Sequence, residues 1–282
     1  MKYGIHIANF GPFFDPHALA GLAQLAEDSG WDGFFVWDHI SFWNEGKLPM
    51  NDPWIALAAI ALKTKFIRLG PLVTALARRR PWKVAREAVT LDHLSNGRLT
   101  LGVGLGHPPG DDFSRFGENP DQKFRAQQLD EALDILAGLW SGEPFGYQGK
   151  HYQIQDGTVF LPKPVQAPRI PIWVAGYIPH TAPFRRAARW DGVFPGRWDD
   201  AQMTPDDVKN LKTTIRSLQT EEKAFDIVMG FATDGKDKSL SSSIVAPYAE
   251  AGVTWWIEPI DPWRGSFEEM QQRISQGPPQ TA

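Results

Sequence analysis

Two neighbouring residues, Asp38 and His39, have the side-chain types that proton chemistry needs. They end a continuously apolar run that begins at Phe34. Histidine gives and takes protons near neutral pH, and an adjacent carboxylate shifts the balance between its two forms. The same pair also reads as an ordinary structural contact. A second pattern stands at Gly102, Gly104 and Gly106, which alternate along one segment and therefore face one side of a strand. A strand face without side chains fits either a flat ligand lying against its backbone or tight packing inside a barrel. The run is not a dinucleotide fingerprint. No third glycine has the required offset, and His107, Pro108 and Pro109 follow, which cannot open a helix cleanly.

Other chemistries find less support. The chain has no cysteine, which excludes disulfides, thiolate catalysis and cysteine metal sites. Its seven histidines show no His-x-His or His-x-x-x-His spacing, so no metal site is expected. Asp38 and Glu258 could serve a hydrolase as paired carboxylates, but nothing specific in the sequence pairs them. Neither a nucleophile elbow nor a phosphate-binding loop occurs.

With 29 basic and 33 acidic residues the chain is mildly acidic, which offers no case for nucleic acid or an anionic membrane surface. The short basic run of Arg78, Arg79 and Arg80 reads as a solvated loop or an anion contact. The first residues lack the apolar core of a secretion signal, and no run of about 18 apolar residues exists, so a cytoplasmic protein is expected. Twelve tryptophans suit a large core and also a pocket for an aromatic ligand.

The elements that must position these residues alternate regularly. Strands are expected at 2–9, 34–38, 66–74, 98–106, 170–175, 190–194, 225–231 and 253–257. Helices fall between them at 16–29, 54–63, 81–94, 124–140, around 184–188, 208–218 and 243–251, with a last one at 267–274. Asp15 and Asp52 read as helix caps, each followed by proline at the first helical position. Gly70 and Pro71 interrupt the third strand, where a bulge or an irregular bond is expected. Residues 141–168 break the rhythm as an insertion between the fourth helix and the fifth strand, with a hairpin turn at 147–152. Eight strand–helix units predict an α/β fold, a (β/α)8 barrel of TIM type forming one domain over 1–275. The tail 276–282 is expected to be loose. In such a barrel function gathers at strand C-terminal ends. Here those ends carry Asn9, Asp38 with His39, Thr74, Gly106 with His107, 175–177, Arg197, Phe231 with Thr233, and Glu258.

Taken in order, five segments resemble the bacterial luciferase-like, flavin-dependent oxidoreductases. They are 31–39, 68–74, 91–106, 113–117 with Arg125 after it, and 162–176. The resemblance covers most of the chain and implies a TIM-type barrel that binds FMN or the deazaflavin coenzyme F420 across the strand ends. It implies that His39, with Asp38 beside it, is catalytic or lines the reaction side of the ring. It places a non-prolyl cis peptide at Leu72–Val73, next to Thr74, as backing for the ring. Gly104, Gly106 and His107 would form the wall of the fourth strand. Ala175, Gly176 and Tyr177 would meet the cofactor phosphate through a turn before a helix. Leu105 or Gly106 stands where true luciferases carry a phosphate-binding arginine, and the Asp-His ending is common among deazaflavin-dependent members, which inclines the reading to F420. The resemblance further implies a small-molecule substrate, chosen by loops 40–51, 107–120 and 141–168, and a homodimer formed through helices such as the apolar 54–62. A flavin-binding protein without turnover is the alternative within the same fold.

Overall fold

Short buried strands alternating with helices, several of them opened by proline, close this chain into a barrel. The computed structural model describes residues 1–42 and 47–279. The chain begins with β1 (Lys2–Ile7), α1 (Pro16–Asp28), β2 (Gly33–Val36), α2 (Pro53–Lys63), β3 (Arg68–Pro71), β4 (Thr74–Ala75) and α3 (Pro81–Leu94). It continues through β5 (Leu101–Gly104), α4 (Pro109–Asp112), α5 (Gln122–Trp140), β6 (Phe145–Gln148), β7 (Gln153–Thr158) and β8 (Ile172–Ile178). It ends with α6 (Ala182–Ala187), β9 (Gly192–Arg197), α7 (Pro205–Leu218), β10 (Asp226–Met229), α8 (Lys238–Ala251), β11 (Trp255–Ile260) and α9 (Phe267–Ser275). Asp15 accepts from the backbone N–H of His17, and Asp52 accepts from those of Trp54 and Ile55, as the cap pattern requires.

The main sheet runs in the order β3-β2-β1-β11-β10-β9-β8-β5-β4, with β3 and β4 as two halves of one strand position. The ring closes where Leu69 bridges Leu99 in parallel and Thr74 pairs with Val103. Between the two halves lies the expected irregularity, a cis peptide at Leu72–Val73. Glycine makes the seam possible. A Cβ on Gly70 would stand 1.8 Å from the Thr100 carbonyl oxygen, and one on Gly102 would stand 2.5 Å from that of Pro71.

Side-chain alternation then sorts the core into two layers. Ile5, Ile7, Phe34, Val36, Leu101 and Val103 point outward and pack with the helices. Inside the barrel, Phe35, Trp173 and Trp255 meet at ring separations of 5.1–5.8 Å, joined by Leu72, Val228 and Ile257. This plug fills the barrel's middle, so open space is left at the rim.

The insertion is the antiparallel hairpin β6–β7, paired through Tyr147 with Ile154 and Gln148 with Gln153. Glu131 on α5 ties it down by accepting from the backbone N–H groups of Lys150, His151 and Tyr152. The expected loose tail is a correction over 277–279, which is buried. Gly277 accepts from Arg273 Nη1 at 2.9 Å, Gln276 caps the last helix, and residues 280–282 lie outside the described residues.

Candidate active site

A cavity of about 620 Å³ opens at the C-terminal rim. His6 on β1, His39 beyond β2, Leu72 and Val73 in the broken strand, and Gly104, Gly106 and His107 on and beyond β5 all line it. Ala175, Gly176 and Tyr177 on β8 line it too, as does Asp38, and all of these residues except His6 match the sequence expectation. Of the expected residues, Thr74 is the exception. It is fully buried, and its hydroxyl donates to Asp38 Oδ2 at 2.7 Å instead of facing the cavity.

The Asp38 carboxylate also differs from expectation. It accepts from Arg78 Nη2 at 2.5 Å, Arg79 Nη2 at 3.0 Å and Trp54 Nε1 at 3.2 Å, besides Thr74. Burial alone would raise its pKa, but Arg79, Arg78 and the Thr74 hydroxyl outweigh burial and hold it below the usual carboxylate range. Asp38 is therefore a fixed anion that anchors the arginine run. The anion that this run contacts is internal, and Arg78 and Arg79 are not a solvated loop.

The carboxylate that meets His39 comes from elsewhere. His39 Nδ1 lies 2.8 Å from Asp112 Oδ2, at the end of the short helix α4. Asp112 Oδ1 accepts from the backbone N–H groups of Ile40 and Ser41 at 3.1 and 3.3 Å. Arg78 Nη1 completes the cluster as an ion pair 3.0 Å from Asp112 Oδ2. Asn9 fixes the backbone of the same turn, its amide donating to the His39 carbonyl at 2.8 Å. Phe42 lies against the His39 ring, with centroids 4.3 Å apart.

His6 stands on the cavity floor with Nε2 hydrogen-bonded to the Leu72 carbonyl of the cis peptide. Burial lowers its pKa to about 4, so the ring is neutral and donates. The three alternating glycines divide their roles. Gly102 is a packing glycine under Leu72. Gly104 lines the cavity, where a Cβ would stand 2.8 Å from Val73 Cγ2 and 3.4 Å from Ala175 Cβ. Gly106 has φ +83°, and a side chain there would meet Phe113 and Ala75. Arg125 braces the following loop by donating to the carbonyls of Leu105 and Gly106 at 2.5 and 2.7 Å.

Two more expectations change. Ala175, Gly176 and Tyr177 do not form a turn before a helix. They belong to β8, paired with Phe194, Pro195 and Gly196 of β9, because both strands run on past the barrel body. Glu258 does not join Asp38 in a hydrolytic pair. It is buried outside the cavity lining, accepting from Thr233 and Arg264, with Arg273 Nη2 at 3.2 Å. Sequence reasoning missed His6 and Asp112. Period-two alternation gave a signal for His6, since Ile5 and Ile7 take the outward face and leave His6 inward. Asp112 gave none, standing in a loop without periodicity, 73 positions from its partner.

A parallel eight-unit barrel with one ligand-sized cavity at its strand ends defines a TIM-barrel protein of the cofactor- or substrate-binding kind. A sequence profile of the luciferase-like monooxygenase family matches residues 2–237, and the chain belongs to that family. Among its relatives is an F420-dependent glucose-6-phosphate dehydrogenase from Microbacterium testaceum, 34% identical over 164 residues, which cover 57% of this chain and 47% of that one. The chain thus spans about half the length of this relative. Solved structures share the fold. Coenzyme F420 dependent tetrahydromethanopterin reductase from Methanopyrus kandleri aligns with TM-score 0.74 and 18% identity, over 98% of both chains. The oxygenating constituent of 3,6-diketocamphane monooxygenase from Pseudomonas putida, in complex with FMN, aligns with TM-score 0.66 and 20% identity, over 89% of this chain and 73% of that one.

Proposed function

We propose that the protein is an oxidoreductase that uses coenzyme F420 or FMN to transform a small organic substrate. The cavity fits such a group. It is large enough for a tricyclic ring and a small partner, and its wall offers the cis Leu72–Val73 segment beside the bare Gly104 backbone. When bound, the ring supplies hydride transfer or oxygen activation. The protein's share is to hold the ring against residues 72, 73, 104 and 175, and to move a proton at His39. The observation that carries the reading is His39 paired with Asp112 on the same cavity as that wall. Relatives named as F420-dependent favour the deazaflavin. The test is titration of the purified protein with F420 and with FMN, each oxidised and reduced, followed by ring fluorescence. Saturable binding of one of them is expected. Failure of all four to bind would overturn the proposal, and binding without turnover across a panel of alcohols, aldehydes and ketones would leave a binding protein.

The protein is also proposed to form a homodimer. Ile55 and Leu62 are 68% and 73% exposed on one face of α2, and Phe66 just beyond is 81% exposed. Light scattering should give twice the mass of one chain, and Leu62→Glu with Phe66→Lys should give the single-chain mass. Among the described residues no helix is long and apolar enough to cross a membrane. A chain without cysteine suits a reducing compartment, and the cytoplasm is proposed.

A further inference from the structure

We infer that Asp112 is the positioning residue that fixes the tautomer of His39, so that Nε2 is the atom that exchanges a proton with the substrate. The inference rests on the oxidoreductase reading for its chemistry and on geometry alone for the tautomer. The Asp112 side chain is 1% exposed and His39 is 14% exposed, so the pair has a closed end and an end on the cavity. Among the described residues, the other groups against the carboxylate are donors or cations: two backbone N–H groups on Oδ1, and Arg78 beside Oδ2. A carboxylate so placed acts as an acceptor, which requires His39 Nδ1 to carry the hydrogen. The ring's other nitrogen, Nε2, then keeps its lone pair on the cavity side.

The cluster is balanced around that state. Arg79 holds Asp38, Asp38 holds Arg78, and Arg78 holds Asp112, so two arginines face two carboxylates beside the His39 ring. Among the described residues, His6 on β1 is a further titratable group toward His39, and it is neutral. Among the same residues, Phe10, Trp37 and Phe42 are ring neighbours that carry no charge. For oxidation of an alcohol, the substrate C–H bond breaks with its electron pair passing as hydride to the oxidised cofactor. The O–H bond breaks with its proton passing to Nε2, and the carbon–oxygen double bond forms. The imidazolium left on His39 faces Asp112, whose charge stabilises it. Reduction of a carbonyl runs the same steps backward.

The test needs no substrate. Protein labelled with 15N-histidine is examined by NMR, with His39 assigned through its loss in His39→Asn. The wild-type ring should be protonated at Nδ1 and bare at Nε2 near neutral pH. In Asp112→Asn the amide oxygen should stay on the N–H groups of Ile40 and Ser41, which turns the amide N–H₂ toward the ring. Nδ1 then becomes an acceptor, and the Nε2–H tautomer should dominate. Asp112→Glu should restore the Nδ1–H form at least in part. A wild-type ring protonated at Nε2 would overturn the inference without any variant, as would an unchanged tautomer in a folded Asp112→Asn protein. Cofactor titration of the same samples keeps the two readings apart. Loss of the tautomer effect with intact cofactor binding sinks the inference alone, and absent cofactor binding sinks the oxidoreductase reading while the tautomer result stands.

Discussion

Just beyond β2, Asp38 is held by Arg78 and Arg79; within β11, Glu258 is held by Arg264 and Arg273. Both carboxylates are buried, both sit on the barrel rim, and both have a threonine hydroxyl as a further donor. The difference lies in what comes next along the chain of contacts. Beyond Asp38, Arg78 reaches Asp112, and Asp112 reaches a histidine that opens on a cavity. Around Glu258, Arg264 and Arg273 turn to backbone carbonyls, and the cluster ends in protein. An acidic residue at a strand end is therefore not enough to mark chemistry. What marks it is a charge network with one partner left facing open space.

The strongest way to break that contrast is to remove the open end. His39→Asn should lower turnover by roughly 10²–10⁴-fold with cofactor affinity little changed, and the pH–rate profile should lose one limb. Near-normal turnover with an unchanged profile would make the β2 cluster as structural as the β11 cluster. The closed side should respond in stability instead. Glu258→Gln leaves two arginines without their anion and should cost about 3–5 kcal/mol in denaturant unfolding, with cofactor affinity retained in whatever remains folded. A large loss of affinity in the folded variant would show that the β11 cluster also serves the cavity.

A pH experiment sharpens the contrast further. His6 has a folded-state pKa of about 4 against an ordinary 6.5, so the unfolded chain binds more protons between those values. Stability should thus rise with pH through that window, be complete above its upper end, and fall by about 3 kcal/mol on acidification to pH 4. His6→Gln should flatten this part of the curve. Asp38 acts in the same direction at lower pH, since its depressed pKa gives stability that is lost as the carboxylate is finally protonated. Equilibrium unfolding at a series of pH values separates the two, and a slope unchanged in His6→Gln would show that His6 is not the group responsible.

The smallest expected effect belongs to the cavity wall. Gly104→Val presses against Val73 and Ala175, so it should cost about 1–3 kcal/mol of stability as well as cofactor affinity. Normal affinity in that variant would mean that Gly104 is a packing glycine like Gly102.

These contrasts also show which features the sequence makes legible. Strand–helix alternation carries the barrel because several helices announce their start with Asp-Pro or Pro and the barrel strands are mostly apolar runs. Gly70 and Pro71 betray the broken third strand because neither residue suits the middle of a regular strand. Reading strand ends recovers most of the cavity, since a barrel offers few other places. The partners within it are another matter. Asp38 stands next to His39 in sequence, yet beyond the strand Asp38 turns to Arg78 and Arg79 while His39 meets Asp112, so adjacency does not pair them. Thr74 is lost for a similar reason, its side chain turning back to Asp38. Asp112 reaches His39 through a loop whose path depends on tertiary packing, including the Arg125 brace, and no local pattern encodes that. The tail fails as a composition argument, because Gly277 closes against Ser29 without needing apolar side chains.

The order of strands has a consequence for folding. β1 is flanked on one side by β2, its neighbour along the chain, and on the other by β11, far from it in sequence. Until residues 255–260 join the sheet, β1 presents an unpaired edge, and the helices behind it lack α9, whose Ile274 carbonyl receives the Trp31 indole N–H. Closing this seam needs the most distant pairing in the sheet, so the barrel carries a sticky edge until that slow join is made.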